Sequence, residues 1–204
     1  MTQAAPLPGL PPAAPATAGR AAGRRTLAPE VWDALIGHQP TRDRYDANVC
    51  QRRPDQCWYW LGPVSDTGHG KFRAGTRAGD GPASTVVTAH VYGYRRTYGP
   101  PPVIGRADIP VIAHRCDESS CQNPAHWRPG STADNAAEYI ARRGRGPLAD
   151  SRGPAGRARA IRDAIKAAIA QAAGAGPAQA AAAVEAAIEQ ASTAGLPQVQ
   201  GELF

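Results

Sequence analysis

A chain of 204 residues with a net charge of +6 and an aromatic content of 6% has room for one compact domain with tails, but little bulk for a large core. The basic balance, with a pI near 9.5, favours a polyanionic partner. No apolar run is long and uncharged enough to span a bilayer. Residues 1–19 also lack the basic segment and unbroken apolar stretch of a secretory signal, so a cytoplasmic address is expected. In a reducing compartment, metal ligation outranks disulfide formation for Cys50, Cys57, Cys116 and Cys121.

Residues 1–25 are rich in Pro, Ala and Gly without periodicity and read as a disordered tail. A short helix is expected next, with Thr26 as its N-cap and Val31, Trp32, Leu35 and Ile36 as its apolar face. Residues 26–56 are read as that helix and a linker. Cys57 to Leu61 is an aromatic strand stopped by Gly62 and Pro63. After a turn at Asp66, Thr67 and Gly68, a second strand runs from Gly70 to Ala74. The β-branched run Thr85 to Ala89 predicts a strand leading into a helix over His90 to Tyr98, ended by Gly99 and the prolines after it. Val111 to His114 is a further short strand, and a helix is expected from Thr132 to Arg143. From Gly144 to about residue 158 an Arg-studded Gly/Pro segment reads as a linker. Two Ala-rich helices follow over 159–195, with stripes at Ile161, Ile165 and Ile169 and at Val184 and Ile188. The stripes fit a helical hairpin or a homodimer seam, and equally a high-propensity helix with marginal packing. Residues 196–204 read as a flexible tail.

The densest chemistry is His114-x-Cys116-x4-Cys121-x4-His126, with Asn135 eight intervening residues further on. Zinc takes four soft or borderline ligands, commonly paired across a short loop, and Cys116, Cys121 and His126 supply three of them. Cys57 is the choice for the fourth, because apolar strand neighbours can fix it. Cys50 sits among polar residues and is expected to be free. The competing reading is of buried free cysteines beside a surface histidine. A structural zinc contributes on the order of 10–16 kcal/mol in small peptides, enough to replace a missing core.

His114-Arg115-Cys116, Cys121-Gln122-Asn123-Pro124-Ala125-His126-Trp127 and Asn135 together resemble the HNH endonucleases, in their zinc-containing His-Cys box variant found in homing enzymes and phage proteins. Cys57-Trp58-x-Trp60, Gly70-Lys71-Phe72-Arg73, and Ala89-His90 with Gly99-Pro100 resemble the upstream part of that family, so the likeness covers residues 57–143. The resemblance implies an α+β fold, a small zinc-stabilised ββα-metal domain with antiparallel strands. It also implies a bacterial or phage-infected cell, a structural zinc on Cys57, Cys116, Cys121 and His126, and His114 as general base. Asn135 would hold a magnesium-type ion, and 5′-phosphate and 3′-hydroxyl ends would result. A neutral imidazole suits proton abstraction from water, and a hard ion held by one amide oxygen and phosphate oxygens suits charge neutralisation. Arg73, or Lys71 beside it, would add a cation near the phosphate.

The chain departs from the family in two ways. Ala113 stands where many members carry an acidic residue or histidine that binds the metal, and no cysteine follows Cys121 to build a second zinc cluster. His69 and His90 could each contact phosphate or metal, with ordinary strand-end or helix-cap roles the leading expectation, and His114 has the competing reading of a core histidine. The leading expectation is a metal-dependent endonuclease acting on double-stranded DNA. The alternatives are a non-catalytic zinc module that binds DNA or a replication protein, and an RNA-directed nuclease. Separately, Gln200-Gly201-Glu202-Leu203-Phe204 resembles the Gln-x-x-Leu-Phe peptide with which bacterial replication and repair proteins bind the sliding clamp. The resemblance implies a clamp partner contacted by Gln200, Leu203 and Phe204, against the competing reading of a chance match over five residues.

Overall fold

A computed structural model of the chain describes residues 26–77, 79–104 and 110–197. The N-terminal tail and the clamp-like peptide at Gln200, Leu203 and Phe204 lie outside the described residues. The architecture is mixed: six helices of two turns or more and three small antiparallel strand pairs among the described residues. No described helix is long and apolar enough to cross a membrane.

Helices α1 (Pro29–Gly37) and α2 (Gln39–Asp46) come first. Each opens with a proline in its first turn, where the missing N–H costs nothing. The N-cap of α1 is Ala28 and not Thr26, and it makes no side-chain cap bond. Prolyl geometry, rather than a capping hydroxyl, therefore starts this helix. Nor is this region a linker. Trp32 and Leu35 on α1 and Tyr45 on α2 are buried with Trp60, Phe72 and Tyr92 in the main apolar cluster, where the aromatic rings meet edge-on or tilted.

Strand β1 (Val49–Cys50) pairs with β2 (Tyr59–Trp60), which is shorter than the five residues expected. Cys57 and Trp58 precede it, and the Trp58 carbonyl accepts from Gln122 N–H at 2.7 Å. Successive side chains on a strand point to opposite faces. Here Trp60 enters the main core, and Tyr59 enters a second cluster with Ile161, Ile165 and Ile188. Two adjacent aromatic residues thus join the two cores.

Strand β3 (Lys71–Ala74) pairs with β4 (Thr85–Thr88), which runs without a break into α3 (Ala89–Tyr98). β3 alternates strictly, with Phe72 and Ala74 buried and Lys71 and Arg73 exposed. Helix α3 stops at Gly99, whose φ of +79° lies in the left-handed region that glycine tolerates. Strand β5 (Val111–His114) pairs with β6 (Trp127–Gly130), and α4 (Thr132–Arg142) follows directly, capped by the Ser131 hydroxyl accepting from Asp134 N–H at 3.0 Å.

Helices α5 (Gly153–Gln171) and α6 (Pro177–Thr193) pack on one another and on Tyr59 as an intramolecular hairpin. The buried stripe of α5 is Ile161, Ile165 and Ala168, while Ile169 is half exposed. The Arg-rich segment is also not a simple linker. α5 begins at Gly153, and Arg152 and Arg157 are held internally by Asp150, with Arg157 also paired to Glu118 at 2.7 Å.

Candidate metal and histidine sites

The loop between β5 and β6 is pinned at many points. Cys121 N–H donates to the Glu118 carbonyl at 3.1 Å, Trp60 N–H to the Ser120 carbonyl at 3.1 Å, and Arg115 N–H to the His126 carbonyl at 2.8 Å. Asn123 is buried. Its Nδ2 donates to the Pro54 and Gln56 carbonyls at 2.8 and 2.6 Å, and its Oδ1 accepts from Ala125 N–H at 3.0 Å, which starts the single 3₁₀ turn that carries His126. One amide side chain therefore fixes both the approach to Cys57 and the turn that aims His126.

The outcome is a compact donor set. One ligand atom each from Cys57, Cys116, Cys121 and His126 lies within 4.8 Å of the others. His126 Nδ1 is 3.7 Å from Cys57 Sγ and 3.5 Å from Cys121 Sγ. Metal bonds of about 2.3 Å to sulfur and about 2.0 Å to nitrogen, at a tetrahedral angle, set these atoms about 3.5 Å apart. The four residues named from sequence can therefore hold a metal ion. Cys50 lies apart from them on β1, half-buried against the second apolar cluster, where burial raises its thiol.

The thiols have opposing tendencies without a cation. Hydrogen bonds from Cys121 and Cys57 hold the Cys116 thiol far below its ordinary value. The same contact with Cys116 raises Cys57, and burial raises Cys121. One thiolate is favoured, and the next is opposed by its charge and by desolvation, as expected of a thiol cluster that a divalent cation would complete.

His114 stands at the end of β5, 9% exposed, and burial pushes its imidazole below the ordinary value. Its Nε2 is 3.0 Å from the Cys121 carbonyl, which only accepts, so Nε2 carries the proton and Nδ1 carries the lone pair. Trp127 Nε1–H donates to the same carbonyl at 3.2 Å.

Two further histidines, His69 just before β3 and His90 in the first turn of α3, converge on His114. The rings of His90 and His69 are centred 4.6 and 5.9 Å from it and 5.1 Å from each other. One nitrogen from each of the three lies within 4.8 Å of the others. The β3–β4 register explains two of the three positions. Lys71 faces Thr88, and Ala89 N–H donates to the Gly70 carbonyl at 2.8 Å, so the next pair along is His69 opposite His90. Gly68, at φ +79°, closes the preceding turn and packs against the Pro154 carbonyl at the start of α5. His90 Nε2 lies 3.1 Å from the Ile112 carbonyl, two residues before His114 on β5, which ties α3 to that strand.

The remaining sequence candidates are not joined to this cluster by any described hydrogen bond. Asn135 sits exposed in the first turn of α4, its N–H bonded to the Ser131 carbonyl at 3.1 Å. Arg73 is exposed on β3, and its Nη1 reaches the Ser84 hydroxyl at 3.4 Å.

No family model matches the chain. No solved structure matches it either. Over 86 residues, 42% of its length, it is 30% identical to protein 7.7 of Escherichia phage T7, and the match takes in 56% of that protein. The chain is thus similar to a phage protein over little more than half of the latter's length.

Proposed function

We propose that the protein is a metal-dependent DNA endonuclease of the HNH type, with His114 as general base and a structural zinc on Cys57, Cys116, Cys121 and His126. The observation that carries this reading is the fixed tautomer of His114. With Nε2–H committed to the Cys121 carbonyl, Nδ1 is the nitrogen able to take a proton from an attacking water. A core histidine needs only a satisfied ring. A base also needs its acceptor nitrogen specified, and here the metal-binding loop specifies it.

The order of elements supports the same reading: β5 ending at His114, the Cys/His loop, β6, then α4 with Asn135 in its first turn. Three thiols and an imidazole suit zinc, and the hard amide oxygen of Asn135 suits a magnesium-type ion. Such an ion would neutralise charge on the phosphate as the 3′ oxygen departs. The chain's own residues would orient the water, accept its proton at His114 Nδ1, and present Arg73 and Lys71 toward a polyanion. The products would carry 5′-phosphate and 3′-hydroxyl ends. Incubating the purified chain with supercoiled plasmid and Mg²⁺ tests this. Nicked or linear DNA, absent when Mg²⁺ is omitted, is the expected result, and intact plasmid in a zinc-loaded, folded protein would contradict it.

A further inference from the structure

Three histidines from three separate elements, brought together beside a thiol site they do not share, form an arrangement that the nuclease reading does not require. We propose that His69, His90 and His114 form a second metal site, which takes one borderline divalent transition ion such as zinc or cobalt.

One imidazole nitrogen from each of the three residues lies within 4.8 Å of the others, a grouping that can hold a metal ion, whose tetrahedral site sets nitrogens roughly 3.3 Å apart. Imidazole suits zinc, cobalt and nickel, whereas magnesium prefers oxygen. Histidines that bind metal almost always donate their other ring N–H to a carboxylate, a backbone carbonyl or water, and a carboxylate or carbonyl fixes the tautomer. His90 Nε2 does so with the Ile112 carbonyl and His114 Nε2 with the Cys121 carbonyl, while His69 Nδ1 lies 2.9 Å from the Thr67 hydroxyl, which can donate or accept. With their Nε2–H groups committed to carbonyls, His90 and His114 would each offer Nδ1 to the ion, and one nitrogen of His69 would complete the set. His90 and His114 are buried and His69 is half-buried, so His69 is the member of the three that solvent reaches most.

The binding claim stands apart from the nuclease reading, but one consequence rests on it. The nitrogen that His114 would give to the ion is the same Nδ1 that would take the proton from water. Occupancy and general-base action exclude each other, so excess zinc inhibits magnesium-supported cleavage.

The test is metal content after equilibrium dialysis of the full chain against micromolar zinc, for wild type and His69→Ala. Two ions per chain in wild type and one in His69→Ala are expected. In the cobalt-loaded proteins, the thiolate-to-metal charge-transfer band is expected unchanged by His69→Ala, while imidazole-site absorption is lost. One ion in wild type, or two retained in His69→Ala, would overturn the proposal. These readouts hold even if no DNA is cut. If DNA is cut, His69→Ala is expected to need at least tenfold more zinc for half-inhibition, and equal sensitivity would overturn the inhibitory role.

Discussion

The Nε2–H of His114 is donated to the carbonyl oxygen of Cys121, 3.0 Å away, so one residue contributes both a thiol to the metal group and an acceptor to the histidine beside it. The loop that gathers the thiols therefore also sets which nitrogen of His114 keeps its lone pair. In the proposed enzyme, removing the structural ion would disturb catalysis through this carbonyl, without any contact between that ion and the substrate.

Chelation is accordingly expected to act first on folding. Stripping the metal leaves a thiol cluster in which a second thiolate is opposed by the first and by burial, and replacing Cys121 by serine removes a buried donor from it. A loss of several kcal/mol, at roughly 2–4 °C per kcal/mol for a chain of this size, should lower the thermal midpoint by about 10 °C or more. Calorimetry with and without a zinc chelator checks this, and an unchanged midpoint would argue against a structural ion.

Arg157 is the keystone between the metal loop and the C-terminal hairpin. Its Nε donates to Glu118 Oε2 at 2.7 Å, and its Nη1 donates to the Ser192 carbonyl at 2.7 Å and to Asp150 Oδ2 at 3.2 Å. Breaking a buried ion pair from one side strands the other charge, at a cost of about 3–5 kcal/mol. Arg157→Met should destabilise the protein by that order in urea unfolding, and Arg157→Met with Glu118→Gln should recover part of the loss.

Asp150 gives a pH signature. Hydrogen bonds from Arg152, opposed by burial, bring its carboxyl down to about 2 from an ordinary 3.8. A folded value below the unfolded one contributes stability that is present above pH about 4 and is lost as pH falls toward about 2. The size is about 2 kcal/mol. Asp150→Asn should flatten the stability curve over that window, as read by denaturant midpoints at successive pH values.

Much of this organisation is legible in the sequence, because it rests on short-range signals. The spacing of Cys116, Cys121 and His126 names a metal loop, and the β-branched run before His90 marks a strand. Cys57 could be chosen over Cys50 by its aromatic neighbours. The His69 and His90 convergence was not legible. It depends on a hairpin register and a carbonyl from a third element, and neither leaves a local spacing pattern. The burial of α1 and α2 was missed for a similar reason. Trp32, Leu35 and Tyr45 gain their partners only when Phe72 and Tyr92 arrive from later in the chain. The Arg-rich segment misled because composition cannot tell a solvated arginine from one that finds Asp150 and Glu118.

Asn135, exposed in the first turn of α4, has no described side-chain bond that would explain it structurally. If its amide holds the magnesium-type ion, Asn135→Ala should lower cleavage at low Mg²⁺ by on the order of 100-fold, about 2.7 kcal/mol. High Mg²⁺ should restore part of it, while thermal stability stays unchanged. A Mg²⁺ dependence identical to wild type would remove Asn135 from the site.

General-base action of His114 is read by comparing wild type with His114→Ala on supercoiled plasmid in Mg²⁺, with zinc content measured on both proteins. Nicking or linearisation by wild type and a loss of about 10²–10⁴-fold in His114→Ala at equal zinc content are expected. Equal cleavage by the two, or none by a folded, zinc-loaded wild type, would contradict it. The second result would favour a zinc module that binds nucleic acid or a replication protein without cutting.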